Sequence, residues 1–291
     1  MMMTVDVKRT LVTAALGAAL AMGGAVSPAG AQLVERFGSD PLERTGGIVF
    51  YPEGDVAARF DYVMDGPHFP TDRPGTLRVL YDTTLPAGRI STPIGRTLTS
   101  GDEFEFGAIL TIRSEGLFAD PNGFSQVAFG LWNAHTTGMN RAGFPSDTFD
   151  LVGFDYFPNV GEFGGPFLSP GVFGGNVQNN AFFNFAFASA EVTLPADVPL
   201  LCQFHCIAAQ KRMNLRVSRH VGGVTFERIP GAMVSVDLSR LDPGFLVNVA
   251  GIAAYFEGYA SIRASVDYDL LYVGSLPAPF GVVNRRQVPS R

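Results

Sequence analysis

The sequence has few cysteines, tryptophans, histidines and lysines. Its 291 residues include two cysteines, one tryptophan, four histidines and only two lysines, Lys8 and Lys211. Charged residues make up 16% of the chain, and the formal net charge is −6. Nucleic acids and anionic membrane surfaces select basic patches, so this composition argues against both as partners.

No apolar run is long enough for a membrane span. The longest, residues 11–26, is shorter than the ~20 residues that a bilayer requires. Lys8 and Arg9 precede it and the small residues 29–31 follow it, which is the pattern of an export signal cleaved after Ala31. Cleavage removes one acid and two bases and leaves a net charge of −7. We predict a secreted or periplasmic protein in which residues 32–291 form a single domain.

The remaining chain alternates between turn-forming clusters and short strand patterns. It is rich in glycine, proline and phenylalanine, with 34, 20 and 25 residues in the whole sequence. In residues 103–113, Phe104 and Phe106 share one face while Glu105 lies on the other, and no segment after the signal has a helical period. The sequence therefore predicts an all-β fold, an antiparallel two-sheet β-sandwich of jelly-roll type, with a flexible tail from about residue 277. The clearest strands are predicted at residues 76–81, 103–113, 124–133, 148–157, 182–187, 200–208, 212–220, 232–237 and 261–273.

The two cysteines are expected to be free thiols. Cys202 and Cys206 lie four residues apart in a predicted strand, which places their Cα atoms ~13 Å apart, whereas a disulfide needs them within about 7 Å. Both share a face with Leu200 and Phe204, so we predict buried core thiols in preference to a bridge across a bend. His205 points to the opposite face, which disfavours a metal site there.

Residues 119–162 carry a resemblance to a known family. Ala119-Asp120 precedes a hydrophobic strand, residues 127–133, and a second strand ends in Gly153-Phe154-Asp155-Tyr156-Phe157-Pro158-Asn159. This arrangement resembles the concanavalin A-like lectin and glucanase superfamily, and most of all the legume-type lectins. The resemblance implies a concanavalin A-like jelly roll and a polysaccharide or other glycan as the partner.

The resemblance also implies one Ca²⁺ site. In such lectins a strand-end aspartate, an aromatic residue's backbone carbonyl, an asparagine and a following acid hold the ion; the matching positions are Asp155, Phe157, Asn159 and Glu162. Oxygen donors of these types suit Ca²⁺, which takes six to eight of them. The family's transition-metal site is not expected, because Gly153 stands where those lectins have a glutamate.

The predicted sugar contacts come from two sources. The resemblance implies that Asp120 and Asn159 hydrogen-bond sugar hydroxyls, with the Phe157 ring beneath the sugar. Independently, Trp132 has small neighbours on its strand face and is expected to line a shallow groove in which a sugar stacks, unless it packs under the following loop. The predicted ligand-binding residues are Asp120, Trp132, Asn133, His135, Phe157 and Asn159.

Three functions stay open at this point: an exported glycan-binding protein, which we favour, a polysaccharide-degrading hydrolase or lyase on the same fold, and a structural or adhesive protein without sugar binding. Retaining hydrolysis needs two carboxyl groups about 5 to 5.5 Å apart, and Asp155 has no acidic neighbour on its own face. No catalytic residue is therefore predicted. An enzyme would need a pair across strands from Glu103, Glu105, Asp267 or Asp269, of which the last two are expected on a solvated face.

Overall fold

The computed structural model describes residues 33–64, 69, 75–82, 84–115, 126–138, 150–158, 166–175, 185–254 and 263–284. These residues form eighteen strands and two short 3₁₀ helices, Ala208–Gln210 and Leu238–Arg240. No helix in this part of the chain is long and apolar enough to cross a membrane.

The strands in chain order are β1 (Leu33–Glu35), β2 (Tyr51–Gly54), β3 (Phe60–Val63), β4 (Thr76–Asp82), β5 (Gly88–Thr99), β6 (Phe104–Ile112), β7 (Val127–Trp132), β8 (Leu151–Phe157), β9 (Phe167–Leu168), β10 (Gly171–Phe173), β11 (Phe185–Phe187), β12 (Ala190–Glu191), β13 (Leu200–Ile207), β14 (Arg212–Gly222), β15 (Thr225–Asp237), β16 (Leu246–Ala254), β17 (Arg263–Val273) and β18 (Gly281–Val283).

The strands are arranged in two sheets, and their pairings are antiparallel apart from that between β15 and β18. Sheet 1 has the order β18-β15-β14-β13-β6-β17-β4-β3, with β1 beside β17. Sheet 2 has the order β11-β10-β8-β7-β16-β5-β2, with β9 beside β8 and β12 beside β9. The predicted all-β sandwich of two antiparallel sheets is confirmed.

The two sheets pack face to face through buried phenylalanines. Phe106 of β6 stacks on Phe204 of β13 with ring centroids 4.4 Å apart, and Phe129 of β7 stacks on Phe154 of β8 at 4.9 Å. Phe106 and Phe129 meet across the gap in an edge-to-face contact at 6.4 Å. Burying one such side chain contributes roughly 1.5–3 kcal/mol, so these rings fix which side of each sheet faces inward.

A buried polar link also joins the sheets. The Tyr81 hydroxyl of β4 donates to the carbonyl of Ala128 in β7 at 3.0 Å and lies 2.7 Å from the Tyr268 hydroxyl of β17. Hydroxyl groups are costly to bury without partners. The two tyrosines therefore satisfy each other while holding β4 and β17 against β7.

The cysteine prediction is confirmed. Cys202 and Cys206 are free, fully buried thiols on the core face of β13. Burial raises the pKa of both thiols, that of Cys206 to about 12. His205 points the other way, with its Nε2 3.6 Å from an oxygen of the exposed Glu103.

Residues 277–284, where the sequence predicts the start of a flexible tail, remain part of the fold. Instead of leaving the fold near residue 277, the chain forms β18 beside β15, and Phe280 packs against Phe69 and Phe226. The physical reason is that sheet 1 also has an apolar outer face, which these three rings cover. The buried residues of that face are Ile109, Leu201, Leu270 and Tyr272.

The prediction that Asp267 and Asp269 lie on a solvated face is wrong. Asp267 is 1% exposed and accepts hydrogen bonds from Nε of Arg78 and Nε of Arg113, each at 2.7 Å. Asp269 is 4% exposed and lies at a β-bulge in β17, where the register shifts. Burial is the main cause that raises the pKa of Asp269 to about 7.

Asp269→Asn should remove a pH dependence of stability. The pKa of Asp269 is raised in the folded protein, so the folded state keeps a proton that the unfolded chain releases. The free energy of unfolding must then fall as the pH rises from about 4 to about 7. Above about pH 7 the full loss of stability persists. The variant should lose this decline and gain a few kcal/mol at pH 8, since one pKa unit corresponds to about 1.4 kcal/mol.

Urea unfolding at pH 4.5, 6 and 8 measures this effect, with Glu43→Gln, an exposed carboxylate, as the control. An equal difference between wild type and Asp269→Asn at all three pH values would contradict the assignment.

Candidate functional site

The predicted ligand-binding residues that the structure describes, Trp132, Asn133, His135 and Phe157, lie at two ends of sheet 2. β7 and β8 are antiparallel, with Trp132 opposite Leu151 and Ala128 opposite Asp155. The end of β7, followed by Asn133 and His135, is therefore at the opposite end of the sheet from Phe157. At about 3.3 Å per residue the two ends are roughly 20 Å apart. We call them the Trp132 end and the Asp155 end.

Trp132 does not line an open groove. It is 3% exposed, and a Cβ atom added to Gly251 of the neighbouring β16 would come within 2.5 Å of Cη2 of its ring. The ring thus occupies the space that the glycine leaves, and the Arg89 guanidinium lies 5.4 Å from its centroid. The alternative of packing beneath the following loop describes this residue, and the predicted sugar-stacking groove is corrected.

Arg89 holds that loop in place. Its guanidinium donates to the carbonyls of Thr137 and Gly138 at 2.9 and 3.0 Å, and its Nε donates to Glu53 of β2 at 2.8 Å. The side chain is only 5% exposed. A buried guanidinium needs partners for its five N–H groups, and the loop carbonyls supply two of them.

Asn133 and His135 serve the same loop. Oδ1 of Asn133 accepts hydrogen bonds from the backbone N–H groups of His135 and Thr136 at 2.9 and 3.3 Å. Its Nδ2 donates to the carbonyl of Leu246 at 3.1 Å. The Asn133 amide therefore shapes the turn and ties it to β16, while the His135 side chain is exposed.

Asp150 is a central residue that the sequence pattern did not reveal. Its carboxylate accepts hydrogen bonds from the backbone N–H of Leu246 at 2.9 Å, the backbone N–H of Gly175 at 3.1 Å and the Thr136 hydroxyl at 3.1 Å. It is 3% exposed and left-handed, with φ 51°. One side chain thus joins the loop after β7, the segment after β10 and the start of β16.

At the Asp155 end, a buried carboxylate lies on the outer face of sheet 2. Val152, Phe154 and Tyr156 of β8 belong to the core, so Asp155 points away from it. Asp155 is 2% exposed, and its Oδ1 accepts a hydrogen bond of 2.5 Å from Nε2 of Gln126, just before β7. This amide holds the carboxylate in place at the junction of two strands.

The structure describes only one of the other residues predicted for calcium and sugar binding with Asp155. Phe157 is half-buried at the end of β8, while Asp120, Asn159 and Glu162 lie outside the described residues. Within the described ranges, no group of three or more histidine, cysteine, aspartate or glutamate side chains is placed to hold a metal ion. The calcium set therefore stays a prediction.

Between the two ends, the outer face of sheet 2 has a strip without side chains. Gly251, Gly130, Gly153 and Gly171 lie in register across β16, β7, β8 and β10. A Cβ on Gly130 would collide with the carbonyl of Val152 in β8. Glycine is therefore required where β7 approaches β8 closely. The side chains that shape the outer face lie on either side of this strip of glycines.

The architecture can be compared with known proteins. No protein-family model and no curated protein matches the sequence. Among solved structures, the carbohydrate recognition domain of Emp47p superposes with a TM-score of 0.50 at 9% identity, over 87% of this chain and 99% of that domain. The chain has the fold of the concanavalin A-like lectins. The expected resemblance is confirmed at the level of fold.

Plant lectins align less closely with this lectin-type fold. Lectin II from Ulex europaeus gives a TM-score of 0.45 at 14% identity, over 84% of this chain and 99% of its own. The winged bean acidic lectin complexed with methyl-α-D-galactose gives 0.44 at 12%, over 78% and 99%.

Asp150→Ala should destabilise the Trp132 end. The change leaves the buried backbone N–H of Gly175 without an acceptor, at a cost of about 1–3 kcal/mol, removes the acceptor of the partly buried N–H of Leu246, and places alanine at a positive φ. Asp150→Asn is the matched variant, because asparagine tolerates left-handed backbone and keeps one carbonyl acceptor. We expect the free energy of unfolding in urea to fall markedly for the alanine variant and clearly less for the asparagine variant. Equal losses would show that the acceptor role is wrong.

Proposed function

We propose that this protein is an exported, lectin-like glycan-binding protein. The observation that carries the proposal is the superposition on the Emp47p domain, which covers 99% of a domain described as a carbohydrate recognition domain. The export pattern of residues 1–31 supports a location where glycans are displayed. Fold by itself does not determine function.

We assign the main sugar contacts to the Asp155 end. At the Trp132 end, the ring of Trp132 is buried and the amide of Asn133 is used within the loop, so neither offers free groups to a ligand. At the Asp155 end, the half-buried Phe157 lies two residues after Asp155, whose carboxylate Gln126 holds in position. Asp120 and Asn159 flank the same two strands in sequence, which supports their predicted role in bonding sugar hydroxyls.

The proposal includes one Ca²⁺ held by Asp155, Phe157, Asn159 and Glu162. Asp155 suits this role chemically, because it provides a fixed carboxylate where β8 meets the following segment. A bound Ca²⁺ would draw carboxylate, amide and carbonyl oxygens of that segment together. The bound ion would thereby orient Asn159 and Phe157 toward the sugar.

Of the four carboxylates considered for a hydrolase, Glu105 is half-buried on β6 opposite His205, and the other three have different surroundings. Asp267 is held by two arginines, Asp269 is buried in a bulge, and Glu103 is exposed beside His205. Nothing in these positions favours cleavage, so we propose binding without hydrolysis.

A combined binding and release assay tests the proposal. The exported protein is screened on a glycan array and on insoluble polysaccharides, and released sugars are measured in the same wells. We expect binding without release. Sugar release would show that the protein is a polysaccharide-degrading enzyme. If neither binding nor release is detected, the protein is a structural sandwich without sugar binding.

Calcium removal provides a sharper test. EDTA should lower the melting temperature and weaken glycan binding, because the ligand oxygens repel one another once the ion is gone. Asp155→Ala should lower both as well, and EDTA should then have little further effect on the variant. Asp61→Ala, an exposed aspartate on sheet 1, is the control and should keep the full response to EDTA. A wild type that is insensitive to EDTA would refute the calcium site.

A further inference from the structure

The open edge of sheet 2 presents an exposed aromatic ring. Tyr51 lies on β2, the last strand of the sheet, and is 59% exposed. Its register partner is Ser91 of β5, which in turn pairs with Gly251, so the ring stands at the margin of the glycine strip. In the described part of the chain, Tyr51 is the only aromatic residue among the exposed large apolar side chains. The others are Met64, Val221, Met233, Leu246 and Val283.

A positioned carboxylate stands on the same face of β2. Glu53 lies two residues from Tyr51, with Cα atoms about 7 Å apart. Its Oε2 accepts a hydrogen bond from Nε of Arg89 at 2.8 Å and lies 2.6 Å from Nη2, yet the side chain remains 51% exposed. No described residue hydrogen-bonds to Oε1. Arg89 is anchored by the loop after β7, so it holds Glu53 in a defined orientation.

A cavity opens on the other side of Tyr51. The pairing of β2 with β5 stops at Tyr51 and Ser91, whereas β5 continues to Thr99. The chain before β2 separates from β5 there and leaves a volume of 410 Å³ lined by Tyr51, Val49, Thr92, Pro93 and Gly95, among others. This volume is within the range of small-molecule sites, about 300–1,000 Å³. The edge thus combines a ring face, a carboxylate oxygen and space for a ligand.

We propose that this edge is a second glycan subsite, which binds a neutral pyranose unit. The C–H face of the sugar packs on the Tyr51 ring, and its hydroxyls donate to the free oxygen of Glu53, since hydrogen bonds to charged groups are the stronger ones. The carboxylate repels acidic sugars. The inference rests on the proposed function and extends it to a different strand of the sheet.

The position of the edge determines the ligand length. β2 lies four strands from β8 in sheet 2, which corresponds to about 19 Å at about 4.8 Å per strand. A monosaccharide cannot reach both β2 and the Asp155 end, whereas an oligosaccharide can. The two subsites together therefore favour neutral oligosaccharides over single sugars.

Substitution of Tyr51 tests the inference with the neutral glycan that binds best in the screen. Tyr51→Ala should weaken binding by about tenfold or more, which corresponds to about 1.4 kcal/mol, while Tyr51→Phe keeps the ring and should stay within about twofold. Met233→Ala truncates an equally exposed apolar side chain on sheet 1 and should change nothing. The melting temperature should be the same for all four proteins, because both sites are exposed.

The outcomes separate this inference from the proposed function. Wild-type binding that is unchanged in Tyr51→Ala overturns the subsite and leaves glycan binding intact. No glycan binding by the wild type overturns both. A wild-type dimer that becomes monomeric in Tyr51→Ala during sedimentation would show that the edge joins two copies of the chain, which also overturns the subsite.

Discussion

Packing of Phe106 against Phe129 determines which face of each sheet lies inside this sandwich. Side chains alternate along a strand, so once these rings meet, every second residue of β6 and β7 is assigned to the core and the rest to an outer face. Asp155 points outward by the same rule, because Phe154 stacks on Phe129. The position of the candidate site thus follows from an apolar contact that contains none of its polar groups.

The sequence predicted strands well where alternation is strong and poorly where small residues dominate. Residues 103–113 and 200–208 were predicted as strands and form β6 and β13 almost to the residue. β5 and β16 were missed, although both are paired on both sides within sheet 2. Their outer faces carry Gly251, Ala253 and Pro93, which give no apolar period, because the ring of Trp132 covers part of that face and leaves no room for larger side chains. The sequence pattern shows which residues are large and apolar, but it does not show which small residues are covered by a neighbouring side chain.

The same limit explains where the site predictions failed. Alternation grouped Asp155 with Gly153 and Phe157 on one strand face, but it could not show that Trp132 and Phe157 belong to opposite ends of the sheet, since this depends on the antiparallel pairing of β7 with β8. Asp267 was expected in solvent because its strand face is polar, yet arginines from β4 and from the end of β6 enclose it. Asp150 acts through backbone groups of distant segments, so no local motif could have indicated its role.

The two buried thiols give this protein an internal reporter of its own motions. Thiol reagents attack thiolates, and burial on the core face of β13 raises the pKa of Cys202 and Cys206, so neither reacts while the sheets stay together. Alkylation of either thiol then reports separation of the sandwich. Cys202 and Cys206 lie four residues apart on β13. A comparison of their labelling rates therefore distinguishes fraying at one end of the strand from a complete opening of the sandwich, without any engineered label.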